Sequence, residues 1–340
     1  VEKLVTVDDA RRLLGAGADP LDEAILCIDL DASGADLELP DDAMRPAVVI
    51  GVSTRAEGPA PAGVDVALGG QAAGSWVSID GIEADLTELC SAIRAHPMAS
   101  LVACQVMRLT EGLDPSRALL AESLAYGLLQ AGPEHQAWLA AATERTSSHE
   151  GPERPDVRVE RDGDVLSLTL QRPLQRNALR AATRDQLAEG LALALLDPTI
   201  ASVHLFGDGV CFSSGGDLDE FGTLRDAPDA HLIRSMRSPA AMLSRLVDRS
   251  VAHIHGPCRG GGVELAAACG RVSASPGTTV ALPELAMGLI PGAGGTWSIP
   301  KRIGRQRATW LAITGHVLSD DLQLRWGLVD EIAPDGDPAS

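Results

Sequence analysis

Three consecutive glycines, Gly260-Gly261-Gly262, separate the apolar run Val251-Ala252-His253-Ile254-His255 from Val263-Glu264-Leu265-Ala266-Ala267-Ala268. The first run reads as a buried strand and the second as a helix. This order of strand, glycine turn and helix constrains the fold more than any other feature of the chain. Glycine lacks a Cβ, so a backbone N–H in such a turn can approach a ligand atom closely. The helix start adds aligned N–H groups and a partial positive charge. Half of an oxyanion hole can be built this way, and Glu264, one turn into the helix, aims a carboxylate at the same place. Taken alone, a glycine triplet fits a tight helix–strand packing turn equally well, so its reading depends on the rest of the chain.

Three further stretches bear on it. They are Arg172-Pro173 followed by Asn177-Ala178-Leu179, then Phe212-Ser213-Ser214-Gly215-Gly216-Asp217-Leu218, then Leu282-Pro283-Glu284-Leu285-Ala286-Met287-Gly288-Leu289-Ile290-Pro291-Gly292-Ala293-Gly294-Gly295-Thr296. With the Gly260–Glu264 turn, and with Gly327-Leu328-Val329 as the exit, these motifs resemble, in order, those of the enoyl-CoA hydratase/isomerase (crotonase) superfamily. The resemblance covers roughly residues 155–332.

Composition sets the outer bounds. A chain of 340 residues with 45% hydrophobic content can bury a large core in one domain or two. The formal charge of −19 argues against nucleic acid or an anionic membrane as partner. No apolar stretch approaches the roughly 20 residues of a membrane span. No signal peptide is visible. The six cysteines show no C-x-x-C spacing and lie mostly in apolar runs, which reads as buried thiols in a reducing cytoplasm. No His/Cys cluster has metal-ligand spacing.

Read in order, the chain is expected to be α/β, with four parts. Residues 1–80 carry short strands at Ala24–Leu30, Pro46–Val52 and Val64–Leu68 and a short helix near Asp8–Leu14, but no catalytic motif. Residues 82–145 read as helices: Ile82–His96, Met98–Thr110, one capped by Asp114-Pro115 and running to Gln130, and one from Glu134 to Arg145. Residues 146–155 read as a linker. From 156 to 332, strands alternate with helices, beginning with a hairpin about Asp162-Gly163-Asp164. The resemblance implies a crotonase-like spiral of ββα turns for this last part. It also implies that residues 82–145 correspond to the helical region that follows the core in that superfamily and here precedes it. Residues 1–80 would then be a degenerate remnant of a first core; an unrelated helical domain is the alternative.

The resemblance also assigns roles. Gly216 and Gly261 supply the two oxyanion N–H groups, and Glu264 and Glu284 are the catalytic carboxylates. Arg176, Arg172, Ser214 and Asp217 lie where CoA would bind, and Trp297 and Phe221 are candidates for the acyl pocket. His253, His255 and Cys258 read better as structural residues. Two glutamates sharing one water favour hydration, since isomerases typically use the second alone. The expected function is therefore an enoyl-CoA hydratase with no cofactor beyond the CoA of an acyl-CoA thioester substrate, assembled as a trimer or hexamer. The alternatives are an isomerase, a decarboxylase, a thioester hydrolase, or a partner-dependent subunit. If residues 82–145 fold back over the Glu264/Glu284 pocket, the architecture is that of a working enzyme; if they dock elsewhere, a partner is implied.

Overall fold

The computed structural model of the protein describes residues 3–15, 24–32, 44–70, 74–141, 154–223 and 227–333. The chain opens with helix α1 (Val7–Gly15) and strands β1 (Ile25–Asp29), β2 (Val48–Ser53) and β3 (Val66–Gly69), which run parallel in that order. Every residue of β2 and β3 is buried, as expected for near-continuous apolar runs in a parallel sheet. Four helices follow: α2 (Ile82–Ala95), α3 (Pro97–Thr110), α4 (Pro115–Gln130) and α5 (Pro133–Ala141). Asp114 caps α4, its side chain accepting from Ser116 N and Arg117 N, and Pro115 occupies the first helical position. The proposed end of α5 at Arg145 and most of the 146–155 linker lie outside the described residues.

The rest of the chain winds as a spiral. A hairpin of β4 (Val157–Asp162) and β5 (Val165–Leu170) leads to α6 (Ala181–Leu196) and β6 (Ser202–Gly207). Next come α7 (Ala227–Met236), α8 (Pro239–Leu243), β7 (Ser250–Ile254), β8 (Pro257–Arg259) and α9 (Gly261–Ala267). Then follow β9 (Arg271–Ala274), β10 (Thr279–Ala281), α10 (Gly295–Ile303), α11 (Arg305–Thr314), α12 (Asp320–Trp326) and β11 (Glu331–Ile332). One six-stranded sheet has the order β11-β9-β7-β6-β5-β4, parallel except for the hairpin. The second strand of each turn feeds a smaller array: β8 pairs with β10, Arg259 N donates to Ser213 O at 3.0 Å, and Leu179 bridges Gly216. Successive turns therefore bring residues 177–179, 213–216, 258–261 and 280–284 to one edge. This is the ββα spiral that the motifs lead one to expect. Among the described residues, no helix is long and apolar enough to cross a membrane.

The amino-terminal sheet docks on the spiral through buried charge. Arg108 of α3 grips Asp65 with Nε and Nη2 at 2.6 and 2.5 Å. Arg305, at the start of α11, lies 3.6 Å from the same carboxylate and donates to Val64 O and Ala62 O and to Glu111. All three side chains of this Arg–Asp–Arg triad are within 1% of complete burial. Helix α4 packs against both α7 and α10, which carries the helical region back over the strand-end edge.

Candidate active site

The glycine turn is built as its residue types require. Gly260 has φ +46°, and its N–H is tied to Ala281 O of β10 at 3.0 Å. A Cβ there would lie 2.2 Å from Glu284 Oε1, so only glycine lets that carboxylate approach. Gly261 begins α9, and among the described residues its N–H has no acceptor. In the neighbouring loop, where Gly216 bridges Leu179, Gly215 O accepts from Leu179 N and Asp217 N donates to Leu179 O. The N–H of Gly216 between them points the other way and likewise has no acceptor among the described residues. The two amides are neighbours: a Cβ built on Gly261 would lie 3.8 Å from Gly216 N.

Three carboxylates converge beside this pair. Glu264 Oε2 accepts from Ala293 N at 2.6 Å and Gly295 N at 2.7 Å. Glu122, from α4, accepts from Gly294 N at 2.8 Å through Oε1 and from Thr296 N and Oγ1 at 2.9 and 2.7 Å through Oε2. Two carboxylates from distant parts of the chain thus take alternate N–H groups of residues 293–296, at the positive end of α10. Glu284 is 7% exposed, and its Oε2 has no partner among the described residues. Burial raises the pKa of all three. Glu284 is pushed up to about 7 by burial and by Glu122. Glu122 is pushed up to about 7 by burial, against the pull of Thr296 and Gly294. Glu264 is raised by burial and then by the charges of Glu284 and Glu122. Its two backbone donors and the α10 terminus offset part of that rise, and the two carboxyls share their charge as a pair.

Gly216, Gly261, Glu264 and Glu284 line one cavity of about 270 Å³. Phe221, Asp217 and Leu179 also line it, and Tyr126 and Gln130 of α4 form one wall. The helical region therefore folds back over the glutamates. Tyr126 packs over Gly292, where a Cβ would lie 2.2 Å from its ring.

The other candidates are placed as follows. Arg172 is 8% exposed, donates to Asp217 Oδ2 and Ala178 O at 2.8 and 2.6 Å, and braces the Gly216 loop from inside. These internal partners compensate the desolvation of its guanidinium. Trp297 does not line the cavity. It lies 7% exposed on α10, with Lys301 5.0 Å above its ring, and packs into the core. Asp217, by accepting from Arg172 and Asp219 N, is equally occupied. Arg176 is exposed and left-handed (φ +51°), with its carbonyl accepting from Ser214 N at 2.9 Å. These two stand together beside the Gly215–Gly216 turn rather than in the cavity wall. His253 stacks on Phe206 and hydrogen-bonds His204 at 2.9 Å, and His255 meets Gly209 O. Cys258 is wholly buried, its thiol pushed up to about 12 by burial.

Sequence reasoning missed Glu122, Tyr126 and Arg234, all of which come from helices without a glycine motif. The one available signal was a carboxylate inside the apolar run Ala118-Leu119-Leu120-Ala121-Glu122.

The model of the enoyl-CoA hydratase/isomerase family matches residues 160–338. The enoyl-CoA isomerase/hydratase fer4 of Mycosarcoma maydis is 34% identical over 189 residues, 53% of this chain and 69% of that protein. The fatty acid oxidation complex subunit alpha of Shewanella amazonensis is 34% identical over 180 residues, 52% of this chain and 26% of that protein. Among solved structures, Pseudomonas aeruginosa AtuE is similar with TM-score 0.50 and 28% identity, covering 54% of this chain and 71% of its own. A putative enoyl-CoA hydratase/isomerase (crotonase) from Legionella pneumophila gives TM-score 0.50 and 25% identity over 53% and 71%. By its motifs, its spiral and these matches, the chain belongs to the enoyl-CoA hydratase/isomerase family, the crotonase superfamily.

Proposed function

We propose that this protein adds water to a 2-enoyl-CoA thioester, or runs the reverse dehydration. The observation that carries the reading is the placement of two buried carboxylates, Glu264 and Glu284, in the same cavity as two N–H groups without acceptors. Glu264 is anchored through Oε2, which leaves Oε1 for a water. It takes a proton from that water as the oxygen bonds to Cβ. The π electrons move onto the thioester oxygen, where Gly216 N–H and Gly261 N–H stabilise the enolate by several kcal/mol. The enolate then takes its α-proton from Glu284, whose carboxyl, pushed up to about 7, carries a proton in a substantial fraction of molecules at neutral pH. Return of the proton from Glu264 to Glu284 resets the pair. Isomerisation would need only one of these acids, so the second, buried in the same cavity, supports hydration. No cofactor beyond CoA enters this scheme. CoA would lie beside Arg176 and Ser214, and a homo-oligomer is the assembly we expect.

Loss of enoyl absorbance from crotonyl-CoA tests the proposal. We expect turnover by the wild type and losses of about 10²–10⁴-fold in Glu264→Gln and Glu284→Gln. Double-bond migration without hydration would transfer the assignment to an isomerase, and activity retained in both variants would overturn the paired-carboxylate mechanism.

A further inference from the structure

Four arginines line the cavity: Arg180, Arg184, Arg234 and Arg237. Three have carboxylate partners. Arg180 pairs with Asp156 at 2.7 Å, and Arg184 and Arg237 share Asp185 at 2.8 and 3.0 Å. Arg234, on α7, has no carboxylate within 4.0 Å among the described residues. It is half-buried, and its orientation is set by neutral acceptors alone. Nε donates to Ser123 Oγ at 3.2 Å, Nη1 to Gln130 Oε1 at 3.0 Å and Nη2 to Ser123 O at 3.3 Å. These use three of its five donors and leave one hydrogen on each Nη. Its guanidinium sits 4.7 Å above the Tyr126 ring. That same ring crowds Gly292, next to the Ala293 amide that holds Glu264. The nearby buried acid, Glu122, is fully engaged by Gly294 and Thr296.

Glu122 acts on Arg234 only at a distance, and a half-buried cation held in a fixed pose with no carboxylate in contact is costly unless a ligand supplies one. A neutral alkenyl chain supplies none. Arg234 lines the cavity, whereas Arg176 and Ser214, where CoA is expected, do not. The cavity, about 270 Å³, is at the small end for a ligand site. We propose that the acyl group carries a second carboxylate at its far end and is short, so that the substrate is the CoA monothioester of an unsaturated dicarboxylic acid, with Arg234 receiving that carboxylate through its two free Nη hydrogens. This rests on the acyl-CoA reading of the site but not on the hydration step.

Calorimetric binding of two saturated probes separates the possibilities. Glutaryl-CoA and pentanoyl-CoA match in length and differ in a terminal carboxylate against a methyl group. We expect the wild type to prefer glutaryl-CoA by about ten- to a hundredfold, the range for hydrogen bonds to charged groups. In Arg234→Met the ratio should collapse toward one, and Arg234→Lys should keep part of it. Equal affinity of the wild type for both probes overturns the proposal. So does a ratio that survives in Arg234→Met while both affinities fall, because the arginine would then serve CoA phosphate or the fold. If neither probe binds, the acyl-CoA reading falls and the proposal with it; tight pentanoyl-CoA binding without preference removes the proposal alone.

Discussion

Replacing Glu284 by glutamine should change how stability depends on pH, by an amount the site itself sets. The Glu284 carboxyl titrates at about 7 in the fold against 4.5 for an ordinary glutamate. The folded state therefore holds its proton more tightly than the unfolded chain does. Its contribution to stability is fully present below pH 4.5 and is lost as pH rises through 7. At about 1.36 kcal/mol per unit, the interval amounts to about 3 kcal/mol. Glutamine keeps the shape and has no proton to lose, so the stability of Glu284→Gln relative to wild type should rise by about 3 kcal/mol between pH 4.5 and pH 8. Coupling adds to this, because the Glu284 charge is one cause of the raised Glu264 pKa. Urea unfolding at a series of pH values reads the difference, with the slope m checked for constancy. Parallel stability curves for the two proteins would mean that Glu284 is solvated and that the argument from burial is wrong.

Three other outcomes follow from the same geometry. Glu122→Ala orphans the N–H groups of Gly294 and Thr296. It should cost about 2 kcal/mol in urea unfolding and lower kcat more than it changes KM, because the loop that aims Glu264 is released. Gly260→Ala places a methyl group 2.2 Å from Glu284 Oε1 on a left-handed backbone; turnover should fall by about 10²-fold or more, and a wild-type rate would show that the Glu284 carboxylate does not need its place beside the turn. Asp65→Ala removes the carboxylate that Arg108 grips in the interior, while Arg305 keeps Glu111. A loss of about 3–5 kcal/mol is expected from removing one partner of a buried ionic group, while unchanged thermal unfolding would indicate that the amino-terminal sheet is not held by this triad.

Much of the site was legible because its parts are local. Gly260, Gly216 and Glu264 sit in short segments where residue type follows from backbone need: a left-handed turn, a close approach, a helix start. The helices were legible from apolar spacing and from the Asp114-Pro115 cap. The buried pairing of Arg172 was not legible, because an arginine in a motif looks the same whether it meets solvent or an internal carboxylate; only the fold brings Asp217 to it. The core position of Trp297 was not legible, because the face α10 turns to the core depends on α3, α4 and α11 packing around it.

The division between the two sources of information is physical. The sequence by itself determined the glycine turns and the family motifs around them, since these depend on covalent neighbours, and it was the resemblance carried by those motifs that pointed to Gly216, Gly261, Glu264 and Glu284. Only the tertiary structure decided that Glu122 would share the α10 terminus with Glu264, that α4 would roof the cavity, and that Arg234 would face it without a carboxylate. Burial and the identity of a counter-ion are set by atoms that only the fold brings close, such as Asp217 beside Arg172 and Gly294 beside Glu122, and spacing along a chain does not encode them.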